Sequence, residues 1–365
     1  MTDLQIRVSA VCFVAAAIIS GPTTVVIRRW ARRRGFVDRP GGHKSHEQPV
    51  ALLGGIAVVA GVLLPMLAAP VIAKLIQQYG VDWTPIELRP HLPGLIAKTR
   101  IALAVVAGGM VLHVLGLVDD LRPLSAAPKL IVQILVAAFL VIGFDVRLLT
   151  AAGSFPSTLL SILWIVTLTN AFNFLDNMDG LVGGVAMIAA AAFAVAAMRA
   201  GQIFVPACCW LLVGALAGFL PFNLHPASIY LGDAGSLLIG YLIAVFTILT
   251  TFYDPSLSRH PFGLLAPLVV MAVPLYDTTS VMLLRWRAGR PLWHPDRRHF
   301  SHRLQERGLS VREAVGVIWL ATALTAVPSV LLSTASWGLA IGILLQAMAV
   351  VALVAYLEKA APHDR

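Results

Sequence analysis

Apolar windows of about 17 to 25 residues, long enough to cross a bilayer as helices, recur along the whole chain. Eleven are expected, at 6-27, 50-76, 99-118, 129-144, 157-175, 180-198, 204-220, 235-253, 263-284, 314-333 and 337-357. The pattern predicts an all-α fold, a polytopic integral membrane protein of about eleven transmembrane helices in one domain over 1-365. The alanine-rich run Ala189 to Ala197 reads as small-residue helix packing. Between the windows, 77-98, 145-156, 199-203, 254-262 and 334-336 hold only scattered polar residues. The alternate connections 28-49, 119-129, 170-183, 221-236 and 285-313 hold dense polar clusters. These five are expected to build one composite site on one membrane face.

Composition and charge sharpen this picture. A chain of 365 residues that is 58% hydrophobic and 12% charged, with mean hydropathy +0.84, cannot bury its apolar surface in a soluble core. Most of the 27 Lys and Arg follow the first and ninth windows or lie in the other dense connections. Short basic loops stay cytoplasmic, so the N-terminus is expected outside and the C-terminus inside. The net charge of +9 is then a topology signal with some attraction to membrane lipids, and no nucleic-acid partner is expected. Cys12, Cys208 and Cys209 fall inside windows without metal-ligand spacing and read as packing residues. The first window precedes its basic cluster, the reverse of a secretory signal, and reads as a retained helix.

The candidate chemistry lies where carboxylates meet hydrocarbon, a placement costing several kcal/mol unless the charge is paired, solvated or metal-bound. Asp119-Asp120 closes the third window, with Lys129 opening the fourth. Adjacent carboxylates call for a cation or proton between them; a solvated loop with Lys129 as an interface anchor is the alternative. The run Asn170-Ala-Phe-Asn173-Phe-Leu-Asp176-Asn-Met-Asp179-Gly180 spaces polar groups by three, about 60° apart on a helix. Asn173 and Asp176 can share a ligand, while Asn170 and Asp179 point apart. In Asn223-Leu-His-Pro-Ala-Ser-Ile-Tyr-Leu-Gly232-Asp233-Ala-Gly235-Ser236, glycines flank an aspartate before an apolar helix. Asp233 there recruits Mg²⁺ with its phosphates, or else Asp233 or Ser236 is an N-cap. His299 and His302, beside Arg297, Arg298 and Arg303, suit a diphosphate clamp or a positive-inside loop. Intramembrane aspartates also occur in transporters, but those show internal repeats and midplane sites, and neither is visible here.

Together, in order from about Asp38 to Leu304, these motifs resemble the polyprenyl-phosphate N-acetylhexosamine-1-phosphate transferases. The resemblance implies transfer of a sugar phosphate from a UDP-sugar to a polyprenyl phosphate at the cytoplasmic face of a bacterial inner membrane, with Mg²⁺, or Mn²⁺ in its place, and release of UMP. By motif, Asp119 and Asp120 match the catalytic aspartate pair, with Asp176 also catalytic. Asn173 and Asp233 match the metal-associated positions. Lys44, His46, Lys129, Asp179, Asn223, Arg297, His299 and His302 are the expected substrate contacts. Ser301 stands where the family pattern His-x-His-His has its middle histidine, Asn177 where it has glycine, and Ala51 where it has proline. The first and histidine loops look more like those of UDP-N-acetylglucosamine users than of muramoyl-pentapeptide users, which carry three consecutive histidines. Undecaprenyl phosphate is the expected acceptor; direct attack and an aspartyl-phosphate route both fit, as does a homodimer.

Overall fold

The computed structural model describes residues 1–38, 49–80, 86–253, 255, 260–291 and 299–359. Its helices are α1 (Asp3–Arg34), α2 (Gly55–Tyr79), α3 (Leu92–Ala97), α4 (Thr99–Leu121), α5 (Ala126–Gly143), α6 (Ser154–Leu175), α7 (Leu181–Arg199), α8 (Phe204–Asn223), α9 (Asp233–Leu249), α10 (Ala266–Val270), α11 (Ala272–Arg287), α12 (Phe300–Glu306), α13 (Val311–Ser329) and α14 (Trp337–Lys359). Among the described residues the strands are β1 (Val37–Asp38) and β2 (Val50–Ala51), paired antiparallel with Val37 opposite Ala51.

Among the described residues nine helices are long and apolar enough to cross a membrane, and the protein is an integral membrane protein. A tenth apolar segment, Pro261–Val270 with Ala272–Arg287, is bent by 59°. The window expected at 235-253 is α9, whose 17 residues rise about 26 Å, short of the roughly 30 Å hydrocarbon layer. It is buried on every side from Ala234 to Thr247 and packs against α4 and α6. A helix apolar all round belongs in the interior, so α9 is the central pillar. The outward residues are apolar too, including Val11, Ile18, Leu135, Ile142, Met348 and Leu353. Only lipid solvates such faces without cost.

Side-chain contacts fix which helix ends lie together. Arg28 near the end of α1 donates to Ser228 Oγ at 3.0 Å, and Gly54 N before α2 donates to Tyr230 O at 2.9 Å. Arg312 at the start of α13 donates to His225 O at 3.0 Å, and Arg307 donates to Glu358 O near the end of α14 at 2.7 Å. Gln5, near the opposite end of α1, instead donates to Met198 O at 2.9 Å. The basic ends of α1 and α13 therefore share the face that carries the polar connections, opposite the N-terminus.

Candidate active site

The site begins where α4 meets the first turn of α9. A Cβ built on Gly116 would lie 2.4 Å from Ala234 Cα, so only glycine lets the helices touch there. One turn earlier, the buried His113 places Nδ1 3.0 Å from Ala234 O. This contact carries Asp120 to the N-terminus of α9, where Oδ1 accepts from Asp233 N at 2.8 Å and Oδ2 from Ala234 N at 3.2 Å. The first N–H groups of a helix have no intrahelical acceptor, and its dipole favours a negative charge. Gly232, the preceding residue, has φ 73° and ψ 173°, a region essentially reserved for glycine. A Cβ there would fall 2.6 Å from Asp120 Oδ2. The cap that the sequence leaves to Asp233 or Ser236 is thus supplied by Asp120.

Asp119 turns the other way. It accepts from Leu124 N at 2.6 Å and from Lys129 Nζ at 2.5 Å. Lys129 also lies 3.4 Å from Asp233 Oδ2. Lys129, 22% exposed, therefore stands as a cation between two carboxylates, where part of its charge offsets the cost of holding them near the membrane.

The polar run on α6 divides as its spacing predicts. Asn170 faces α5, where its Nδ2 donates to Gln133 Oε1 at 2.5 Å. Asn173 Nδ2 donates to Ser236 Oγ at 3.1 Å, which leaves its carbonyl oxygen beside the start of α9. Asp176 follows the last helical residue, with φ −77° and ψ 53°. Burial pushes its carboxyl well above the usual range, and the charges of Asp233, Asp120 and Asp179 add to the shift. Asp179 accepts from His225 Nδ1 at 2.8 Å and Ala227 N at 3.0 Å, so it is tied to the connection between α8 and α9. Asn223 is buried with both ends of its amide on backbone, accepting from Gly180 N at 3.1 Å and donating to Ile229 O at 3.0 Å.

The histidine segment closes against this turn. His299 places Nδ1 2.9 Å from Asp277 Oδ2 on α11, and its ring centre lies 6.2 Å from that of Phe174. Ser301 Oγ donates to Asn177 Oδ1 at 2.5 Å. His302 Nδ1 lies 3.4 Å from Gln305 Oε1. Arg303, which the sequence sets beside a diphosphate, pairs with Glu358 at 3.0 Å and donates to Ser280 Oγ at 2.8 Å. Lys44, His46 and Arg297 lie outside the described residues.

Among the described residues no three acidic, histidine or cysteine side chains already converge as a ready-made metal nest. Mg²⁺ does not need one, because it takes one or two carboxylates and completes its shell with water and phosphate oxygens. The oxygen donors at the start of α9 and the carboxyl of Asp176 fit that requirement.

Comparison with known proteins places this geometry. A model of glycosyl transferase family 4 matches residues 102–251, the stretch from α4 to α9 that carries all five aspartates just described around α9. Over 347 residues the chain is 30% identical to a probable undecaprenyl-phosphate N-acetylglucosaminyl 1-phosphate transferase of Bacillus subtilis, covering 92% of this chain and 88% of the relative. Over 344 residues it is 34% identical to a decaprenyl-phosphate N-acetylglucosaminephosphotransferase of Mycolicibacterium smegmatis, covering 87% and 80%. A Yersinia pestis undecaprenyl-phosphate alpha-N-acetylglucosaminyl 1-phosphate transferase is 31% identical over 319 residues, covering 84% and 79%. The chain belongs to glycosyl transferase family 4.

In this family 4 protein the structure adds residues to the site to which the sequence reading gives no role. His113 and His225 hold the first turn of α9 and the connection before it, and Ser236, a candidate cap by sequence, instead accepts from Asn173. Asp277, 1% exposed, lies inside the window 263-284. A carboxylate within an apolar window is itself a functional signal, and searching the windows as well as their ends would have found it.

Proposed function

We propose that the protein transfers N-acetylglucosamine 1-phosphate from its UDP-sugar to undecaprenyl phosphate, releasing UMP, as the first lipid-linked step of cell-envelope polysaccharide synthesis. The site faces the cytoplasm of a bacterial inner membrane, with the N-terminus outside, and the whole chain acts as one domain. The observation that carries the reading is the convergence of Asp119, Asp120, Asp176 and Asp233 on the start of α9, with Lys129 among them.

A phosphate monoester has its second pKa near 6, so the acceptor lipid phosphate is mostly dianionic at neutral pH. Little base chemistry is needed. Asp119 and Asp120 are committed to Lys129 and to backbone N–H groups, so they act by holding Lys129 and α9 in place. Asp176 has acceptor capacity to spare and takes the residual proton of a monoanionic acceptor. A non-bridging oxygen of the lipid phosphate then bonds to the sugar-bearing phosphorus, the bond from that phosphorus to its bridging oxygen breaks, and UMP departs with that oxygen. Lys129 and His299 meet the phosphate charge, and Asp179 addresses the nucleotide. Asn173 and Asp233 would hold Mg²⁺, which when bound draws negative charge from the diphosphate and the leaving group.

The test is UMP release by purified protein with Mg²⁺, undecaprenyl phosphate and a panel of UDP-sugars. Release is expected with UDP-N-acetylglucosamine and is expected to vanish in Asp176→Asn. Turnover confined to a different UDP-sugar would overturn the substrate, and full activity of Asp176→Asn would overturn the site.

A further inference from the structure

The short helix α12 is gripped from two sides. From α11, buried Asp277 accepts from His299 Nδ1 at 2.9 Å through Oδ2 and from Phe300 N at 2.6 Å through Oδ1. From the turn after α6, Asn177 accepts the Ser301 hydroxyl at 2.5 Å while its own Nδ2 donates to Phe174 O at 2.9 Å. Asn177 and Ser301 are two of the positions at which the chain departs from the family pattern. They lie 124 residues apart in sequence and are bonded to each other. The hydroxyl at position 301 is therefore committed to the turn that carries Asp176.

We infer that Asp277, Asn177 and Ser301 are positioning residues that aim His299 at the substrate phosphate. A histidine whose Nδ1–H donates to a carboxylate has its tautomer and ring orientation fixed, and Nε2 is the nitrogen left for a ligand. The Ser301–Asn177 bond sets how far that nitrogen stands from Asp176. A misplacement of about 1 Å in such a group can cost on the order of 100-fold in rate. The inference rests on the reading that His299 meets phosphate. Its rival is that Asp277 merely caps α12.

The experiment compares UMP release in two backgrounds. Asp277→Asn keeps the shape and can still accept from Phe300 N, but it presents an amide donor where His299 Nδ1–H needs an acceptor. It is expected to lower kcat by about 100-fold in the native background and to add no loss in His299→Ala. An equal loss in both backgrounds would overturn the inference. Ser301→Ala and Asn177→Ala are each expected to lower kcat/KM by about fivefold, the worth of one hydrogen bond, and the double variant to be no worse than either. Additive losses would also overturn it, and this cycle decides the matter if Asp277→Asn does not fold. Independently of turnover, hydrogen exchange across 299–306 is expected to speed up in Ser301→Ala; unchanged exchange would count against the grip. Slow exchange in a wild-type protein that releases no UMP would defeat the functional reading and leave the grip standing.

Discussion

Replacing Gly232 by alanine tests the contact on which the site is built. The residue sits at φ 73° and ψ 173°, where a side chain costs on the order of 1 to 3 kcal/mol. Its new methyl would also fall 2.6 Å from Asp120 Oδ2, so the carboxylate must leave the N–H groups of Asp233 and Ala234. Hydrogen bonds to a charged group are worth about 1.5 to 3 kcal/mol, and without them the turn bearing Asp233 shifts. Gly80 provides the control. It also has positive φ, 59°, but nothing lies within 4 Å of a Cβ built there, and it sits at the far end of α2 from the site, so Gly80→Ala carries only backbone strain of about 1 to 2 kcal/mol. Thermal unfolding in detergent and UMP release are to be measured for both. Gly232→Ala is expected to melt lower than Gly80→Ala and to lose about 100-fold in kcat, while Gly80→Ala keeps its kcat. Matching melting points and matching kcat values would refute the argument that Asp120 organises the start of α9.

Lys129→Met leaves Asp119 and Asp233 without their shared cation and should lower UMP release by about 100-fold; near-native turnover would show that the bridge is incidental. Burial and neighbouring carboxylates raise Asp176, so its stabilising contribution to the metal-free protein is full below the unfolded value near 4 and is lost as pH rises through the raised value. Added Mg²⁺ should therefore raise the melting temperature more at pH 8 than at pH 5, and chelation should remove the gain; equal shifts would sink the idea. Gln133→Leu and Asn170→Leu each break the amide pair between α5 and α6, at about 0.6 to 2 kcal/mol apiece. The double variant should cost less than the two losses combined, as read by thermal unfolding.

The helical plan and the convergence of polar connections were legible because charged groups stand out in a chain this apolar. The spacing of the run also foretold that its ends, Asn170 and Asp179, would point apart. Partners were not legible. That Asp120 caps a helix beginning 113 residues later depends on Gly116 letting α4 reach α9, and spacing along one chain carries no such distance. Nor does hydropathy separate a lipid-facing helix from the enclosed α9, since it weighs composition and not surroundings. Asn223, expected by motif as a substrate contact, has its amide on Gly180 and Ile229.

The pairing of Glu358 with Arg303, and of its carbonyl with Arg307, joins the far end of α14 to the histidine helix. During synthesis that end is made after the other residues described at the site. A chain cut short within α14 would keep the grip of Asp277 and Asn177 on the histidine helix and lose the anchor that Glu358 gives Arg303 and Arg307. The end of α14 is thereby tied to the site, and a probe placed on Glu358 would report on the histidine helix.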